Sequence, residues 1–134
     1  LLQRSGLASK FDLVDITNIV ITELGQPMHV FDADKITGNI CVRQARDGEE
    51  IEALNGEKYT LKSSDIVIAD DAQVLAIAGI IGGMSSAVTE STKNIYFESA
   101  CFDAATVRQT SARIGLRTDS LMRFEKSLDP LLAE

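Results

Sequence analysis

Several short apolar runs separated by turn residues lie between residues 40 and 100, and they constrain the fold more than any other feature of the sequence. The pair Asn55-Gly56 divides one of these segments, residues 51–61, and is the strongest short signal for a β-hairpin. The other runs have the length and the side-chain content of strands, and they cover residues 40–45, 65–70, 74–79 and 94–100. The sequence therefore predicts a domain dominated by a β-sheet.

Residues 15–24 precede these strands and are predicted to form a helix. Asp15 can cap its start, Gly25 suits the position just past its end, and Pro27 prevents its continuation. Residues 28–32 must then be extended or turning. The apolar residues at helical spacing are Ile16, Ile19, Val20 and Leu24.

A second helix is predicted after the last strand, between a cap at Asp103 and a stop at Gly115. Its predicted inner face consists of Ala104, Val107, Ser111 and Ile114, with Thr110 beside them. Residues 32–39 predict a turn or a single helical turn. Residues 117–130 are ambiguous, and their pattern allows a loop followed by a short strand around residues 122–125. The predicted fold class is α+β, a mixed β-sheet-rich domain with flanking helices.

The composition is that of an ordinary folded domain, and it limits the classes of function. With 134 residues, 45% of them apolar and 25% charged, the chain can bury one core. No run approaches the ~18 apolar residues of a membrane span, so we expect no membrane partner. The net charge of −7 argues against broad contact with nucleic acid, because duplex affinity depends on Lys and Arg. Any such contact is expected in the C-terminal third.

Cys41 and Cys101 are far apart in the sequence and lack the spacing of a metal site. Together with the single histidine, His29, they predict no bound metal, no disulfide framework and a reducing, cytoplasmic compartment. The first residues, LLQRSGLASKF, lack an initiator Met and the long apolar core of a signal peptide. We therefore expect the chain to be an excised piece of a longer protein.

Three features carry more polar or glycine character than a sheet requires. Residues 78–83, AGIIGG, form either a strand-to-loop junction or a place where a ligand approaches backbone amides. Glu98 lies in an apolar strand and shares a face with Tyr96 and Ala100, so it is either a solvated residue or a buried acceptor. His29 is either a packed structural residue or part of a site.

These features belong to three groups of motifs that resemble the B3/B4 region of the bacterial phenylalanyl-tRNA synthetase β subunit. The groups are VDITNIV with ELGQPMHVFD, AGIIGG with SAVTESTKNIYFESACFD, and ARIGLRTDS with RFEKSLDP. They occur in the family's order and cover nearly the whole chain. The resemblance implies that residues 1–134 are a fragment of the B3/B4 tRNA-editing domain, with the N-terminal part of B3 missing.

In that family the region hydrolyses tyrosine that has been mistakenly attached to the phenylalanine tRNA. The resemblance implies catalytic roles for His29 and Glu98. It implies substrate-binding roles for Thr17, Asn18, Gly79, Glu98, Thr118 and Ser120, with Gly82 and Gly83 near the site. A carboxylate that accepts the phenolic O–H would favour tyrosine over phenylalanine, and we assign this role to Glu98 as a hypothesis.

The resemblance also implies the surroundings of the domain. The parent enzyme would be a cytoplasmic α2β2 ligase that uses ATP and Mg²⁺ at its synthetic site, so no cofactor is expected here. The implied partners are the 3′ end of tRNA(Phe) carrying tyrosine, the other β-subunit domains and the α subunit. Two alternatives stay open: a domain that binds tRNA or a partner without hydrolysis, and a purely structural domain. The basic residues nearest the expected site are Arg108, Arg113, Arg117 and Arg123.

Overall fold

The computed structural model describes residues 12–126 and 128–133, in which helices flank a series of short strands. The helices are α1 (Asp12–Glu23), α2 (Ala104–Ile114) and α3 (Asp119–Phe124). The strands are β1 (Met28–Asp32), β2 (Cys41–Gln44), β3 (Glu50–Glu52), β4 (Lys58–Thr60), β5 (Ile66–Ala69), β6 (Val74–Ile77), β7 (Ile81–Gly82) and β8 (Ile95–Ser99). Short 3₁₀ turns occupy Ala33–Lys35, Met84–Ser86 and Pro130–Ala133. The predicted α+β class is confirmed.

The described strands form three antiparallel groups rather than one continuous sheet. Strands β2, β5, β6 and β7 form a four-stranded sheet in that order, and β3 pairs with β4 as the predicted hairpin. Strand β1 pairs with β8, which is distant in the sequence. An isolated bridge between Ala53 and Gly83 fastens the β3–β4 hairpin to the end of the four-stranded sheet. Residues from all three groups, with the hairpin contributing through its loop, line one common cavity.

Helix α1 leads the chain into β1. The helix already includes Asp12, so the predicted cap at Asp15 is wrong, because Asp15 lies inside the helix. Gly25, with a φ of 77°, follows the helix in the left-handed conformation, as predicted. The next residue, Gln26, is buried, and its Nε2 donates to the Ala100 carbonyl oxygen at 3.0 Å. That bond holds the start of β1 beside the end of β8.

Residues 119–124 form a helix, so the short strand that the ambiguous pattern allowed around residues 122–125 is wrong. The Thr118 hydroxyl accepts a hydrogen bond from the Leu121 N–H at 3.2 Å and caps the helix. Leu121 and Phe124 are both buried. In a strand, side chains three apart would point to opposite faces, whereas in a helix they share one face. Burial of both on the same core therefore favours the helix.

The core lies between the four-stranded sheet and helices α2 and α3. The predicted inner face of α2 is confirmed: Ala104, Val107, Thr110 and Ser111 are buried, and Ile114 is partly buried against the core. Asp65, at the start of β5, is completely buried and accepts hydrogen bonds from Thr110 and Arg113 of this helix. Arg113 therefore holds α2 to the sheet.

Candidate active site

A cavity of about 210 Å³ opens where the β1–β8 pair, the β6–β7 turn, the β3–β4 hairpin and helix α3 meet. Its polar side chains are those of His29, Glu98, Thr118 and Ser120, and Gly79 contributes backbone. The rest of the wall consists of apolar side chains and the backbone of Gly82. Five residues nominated from the sequence, drawn from most of its length, therefore line one small and largely apolar space.

Thr17 and Asn18, the other two nominated residues, lie on α1 and are not among the residues that line this cavity. The Thr17 hydroxyl donates to the Val14 carbonyl oxygen at 2.9 Å within the helix. The Asn18 carbonyl oxygen accepts from the Thr22 hydroxyl at 2.7 Å. The structure does not bring these two residues together with the other five, and their substrate-binding roles stay a prediction.

His29 and Glu98 are direct partners across the β1–β8 pair, so their side chains leave the same face of the pair and reach the cavity together. Neither side chain forms a hydrogen bond with another residue in the described part of the chain. The imidazole packs edge-on against Phe31, with ring centroids 4.6 Å apart and an interplanar angle of 74°. Packing therefore holds the imidazole in place while its polar atoms stay available.

Burial shifts both titratable groups toward their neutral forms. Desolvation lowers the pKa of His29 to about 4 and raises the pKa of Glu98 to about 7. At neutral pH the imidazole is therefore uncharged, with one nitrogen able to donate and the other able to accept. The Glu98 carboxyl group is divided between its charged and neutral forms, so small changes around it alter its charge.

These two pKa values predict opposite effects of pH on stability. Glu98 binds its proton more tightly in the folded state. Its contribution to folding stability is therefore present below about pH 4.5 and is lost as pH rises through about 7. His29 binds its proton more weakly in the folded state. Its contribution to folding stability is therefore present above about pH 6.5 and is lost as pH falls through about 4. Glu98→Gln removes the first effect and leaves the second.

We therefore compare the free energies of unfolding of Glu98→Gln and the unsubstituted chain. As pH rises from 5 to 8, this difference should shift by about 1–3 kcal/mol in favour of Glu98→Gln. Urea unfolding at both pH values measures this change. Glu52→Gln is the matched control, because Glu52 is exposed on β3 and does not line the cavity. A Glu98→Gln difference that stays constant with pH would show that burial does not perturb this carboxyl group.

Gly82 forms the floor beneath the imidazole. A Cβ at this position would lie 2.4 Å from His29 Cε1 and 3.1 Å from Leu54 Cδ1, so a side chain there would displace the imidazole. The Leu54 N–H donates to the Gly82 carbonyl oxygen at 2.9 Å, which ties the tip of the β3–β4 hairpin to this floor. Leu54 was not recognisable as a site residue, because nothing in a hairpin sequence shows what its tip will cover.

The glycine-rich turn is largely hydrogen-bonded to its own neighbours. The Ile80 N–H donates to the Ile77 carbonyl oxygen at 3.0 Å, and the Gly83 N–H donates to the Leu75 carbonyl oxygen at 2.7 Å. These two amides cannot serve a ligand while those bonds persist. The interpretation of residues 78–83 as a strand-to-loop junction therefore accounts for much of this segment.

Gly79 lies in the middle of that turn. Its φ of 70° favours glycine, and a Cβ would approach the Phe124 and Phe102 rings to 3.1 and 3.2 Å. The two rings pack against each other with centroids 5.2 Å apart. Phe124 lines the cavity and Phe102 does not, so the turn packs against an aromatic pair of which one member forms part of the wall.

Thr118 fastens helix α3 to the same turn. Its hydroxyl donates to the Ile80 carbonyl oxygen at 2.8 Å and accepts from the Leu121 N–H at 3.2 Å. Both bonds serve the fold, and they place Ser120 and Phe124 in the cavity wall. The observed contacts of Thr118 are structural, and a contact with substrate stays a prediction.

Three further features bear on the kind of site. Within residues 12–126 and 128–133, no group of three or more His, Cys, Asp or Glu side chains is arranged to hold a metal ion. None of the helices in those ranges has the length and apolar character to span a membrane. Cys41 and Cys101 are both exposed free thiols.

The fold and the cavity define an α+β domain with a small, mostly apolar cavity lined by one carboxyl group and one imidazole. The model of the B3/4 domain family matches residues 1–134, and the chain belongs to that family.

Segments of bacterial phenylalanine–tRNA ligase β subunits are similar to nearly the whole chain, which confirms the resemblance seen in the motifs. The β subunit from Methylococcus capsulatus is 50% identical over 131 residues, which are 98% of this chain and 17% of that protein. The β subunit from Solibacter usitatus is 52% identical over 126 residues, which are 93% of this chain and 16% of that protein. The chain thus spans about a sixth of the length of these relatives.

A solved structure supports the fold. The crystal structure of an N-terminal fragment of the phenylalanyl-tRNA synthetase β-subunit from Pyrococcus horikoshii matches with a TM-score of 0.56 at 20% sequence identity. The match covers 67% of this chain and 35% of that chain.

Proposed function

We propose that this chain is the editing domain of a phenylalanine–tRNA ligase β subunit and that it hydrolyses tyrosine from tRNA(Phe). Family membership and identities near 50% to such β subunits support the parent enzyme. The observation that carries the hydrolytic role is the cavity in which His29 and Glu98 lie side by side. In the cytoplasmic α2β2 ligase, the α subunit and the other β-subunit domains would be its partners, and ATP and Mg²⁺ would bind at the separate synthetic site.

The size of the cavity and the charge of the domain suit the end of an aminoacyl-tRNA better than a large ligand. A cavity of about 210 Å³ is smaller than the roughly 300–1,000 Å³ of pockets for drug-sized molecules. It offers room for one amino-acid side chain while the rest of the tRNA stays outside. The net charge of −7 fits this limited contact, because other domains would hold the phosphate backbone.

Glu98 is the proposed reader of the tyrosine hydroxyl. Its carboxyl group stands in a mostly apolar wall and has no hydrogen-bond partner among the described residues, so a phenolic O–H supplies the donor it lacks. Phenylalanine brings no donor and leaves the acceptor unpaired. A site built in this way rejects the analogue without the hydroxyl far more strongly than an apolar pocket rejects the analogue with it.

Hydrolysis of the ester needs a positioned water and a donor for the developing oxyanion. The water oxygen adds to the carbonyl carbon, the bond to the ribose oxygen breaks, and that oxygen receives a proton. The neutral imidazole of His29 can hold the water, because one of its nitrogens accepts and the other donates. The Gly79 N–H makes no backbone hydrogen bond within the described residues and is the proposed oxyanion donor.

His29→Ala should slow deacylation of Tyr-tRNA(Phe) about 10-fold, because water is held less well while the activated ester keeps its other contacts. The measurement is the single-turnover rate with preformed Tyr-tRNA(Phe) and a ligase whose β subunit carries this segment. His29→Gln, which keeps a donor and an acceptor, should lose less activity than His29→Ala.

Two outcomes of that experiment contradict parts of the proposal. A loss beyond ~10³-fold in His29→Ala would replace water positioning with general base catalysis. Failure of the unsubstituted ligase to deacylate Tyr-tRNA(Phe) faster than Phe-tRNA(Phe) would reject editing altogether. A domain that binds tRNA without hydrolysis, or that is purely structural, would then be the better description.

A further inference from the structure

The tip of the β3–β4 hairpin covers the candidate site with a single large apolar side chain. Leu54 is 44% exposed, although apolar side chains of this size usually lie inside. Its other side lines the cavity, and its N–H is bonded to the Gly82 carbonyl oxygen at 2.9 Å. The bridge between Ala53 and Gly83 adds a second attachment next to it. These two attachments therefore hold the hairpin in place at and next to Leu54.

Leu54 and the His29 imidazole meet above the same glycine. A Cβ on Gly82 would lie 2.6 Å from His29 Nε2, 2.4 Å from His29 Cε1 and 3.1 Å from Leu54 Cδ1. We propose that Leu54 is a positioning residue that covers the His29 imidazole, holds it against Gly82 and keeps bulk water from its Nε2 side. The link from this role to the rate of deacylation rests on the proposed editing function, but the covering of the imidazole does not.

Desolvation is the physical effect through which such a cover acts. Burial disfavours the charged imidazolium and lowers the pKa of His29 to about 4. Among the described residues that line the cavity, Glu98 is the other titratable group, and it faces His29 from the neighbouring strand. An ionised carboxylate there would raise the imidazole pKa, whereas the Phe31 ring, packed edge-on against the imidazole, and Leu54, beside it over Gly82, are placed to desolvate the ring.

The chain offers an unusually clean measurement, because His29 is its only histidine. The Cε1–H signal of that residue in ¹H–¹³C NMR is unique, and a pH titration of this signal in the full chain gives its pKa directly. We expect Leu54→Ala to raise the pKa of His29 by about one unit, since water gains access to the ring. Leu54→Met, which restores an apolar cover, should return the value close to that of the unsubstituted chain.

Met84→Ala is the matched control. Met84 is 48% exposed, nearly as much as Leu54, and it follows the glycine-rich turn without lining the cavity. It should leave the His29 titration unchanged. In the ligase, Leu54→Ala should lower the rate of Tyr-tRNA(Phe) deacylation about 5–10-fold, and Leu54→Met should retain it, as expected when the orientation of a water-holding group is disturbed.

The outcomes separate this inference from the proposed function. An unchanged pKa of His29 in folded Leu54→Ala, or an equal shift in Met84→Ala, overturns the positioning role of Leu54. If Leu54→Ala does not fold, Leu54→Val takes its place, with a smaller expected shift in the same direction. A shifted pKa combined with no deacylation by the unsubstituted ligase supports the cover over His29 and rejects editing.

Discussion

Glu98→Ala should abolish the preference for Tyr-tRNA(Phe) over Phe-tRNA(Phe), with a fall of about 10²-fold or more in the ratio of their deacylation rates. Glu98 is the one carboxyl group among the described residues that line the cavity, and its neighbours in the wall are mostly apolar. Without Glu98, no other carboxyl group among the described residues of the wall can accept from the phenolic hydroxyl. Discrimination should then drop to the small difference that an apolar pocket provides. Parallel single-turnover assays with both aminoacyl-tRNAs measure the ratio.

The pH dependence gives this prediction a second signature. Because burial raises the pKa of Glu98 to about 7, the ionised form grows between pH 6 and pH 8. A charge left unpaired by phenylalanine costs more than an unpaired neutral group, so the preference for tyrosine should increase over this interval. Glu98→Gln should show a reduced preference without this increase.

Glu52→Ala is the control for charge alone. It removes one negative charge from the domain, but Glu52 is exposed on β3 and is not part of the cavity wall. Its discrimination should equal that of the unsubstituted ligase. If Glu98→Ala retains the preference for tyrosine, the hydroxyl is recognised elsewhere, and the proposed role of Glu98 is wrong even if hydrolysis persists.

The elements that could be predicted from the sequence are those whose signals are local. Asn55-Gly56 specifies its hairpin through the local turn, and Gly25 ends α1 through its own backbone conformation. Helix α3 lacked such a signal, because three apolar residues in six positions are compatible with either a strand or a helix. The division of the strands into three groups was also not predictable, since it depends on pairing between distant segments.

The candidate site shows the same limit. Motifs nominated His29 and Glu98 separately, but their common cavity exists because residues 28–32 pair with residues 95–99. The sequence left Glu98 either solvated or buried, and only that pairing decides between the two. Leu54 had no motif of its own, and its position follows from contacts of the hairpin tip with Gly82. Such contacts arise from tertiary packing and have no local sequence pattern.

Asp65 supplies the largest expected effect on stability. Its carboxylate is completely buried and accepts hydrogen bonds from the Lys62 N–H and the Thr110 hydroxyl, each at 2.8 Å, and from the Arg113 guanidinium. Thr110 is itself buried, so removal of the carboxylate leaves its hydroxyl without this acceptor. Breaking a buried charged network by deleting one member typically costs several kcal/mol, because the remaining groups stay desolvated.

We therefore expect Asp65→Ala to lower the free energy of unfolding by about 3 kcal/mol, and the melting temperature by about 10 °C. Asp47→Ala is the matched control, because the exposed carboxylate of Asp47 accepts from the Ser63 N–H at 2.6 Å but lies in solvent. Its loss should cost less than about 1 kcal/mol. Thr110→Val in the Asp65→Ala background should recover part of the loss, since it removes the unpaired hydroxyl. If Asp65→Ala and Asp47→Ala melt alike, α2 is held to the sheet by apolar contacts alone, and the buried carboxylate contributes no net stability.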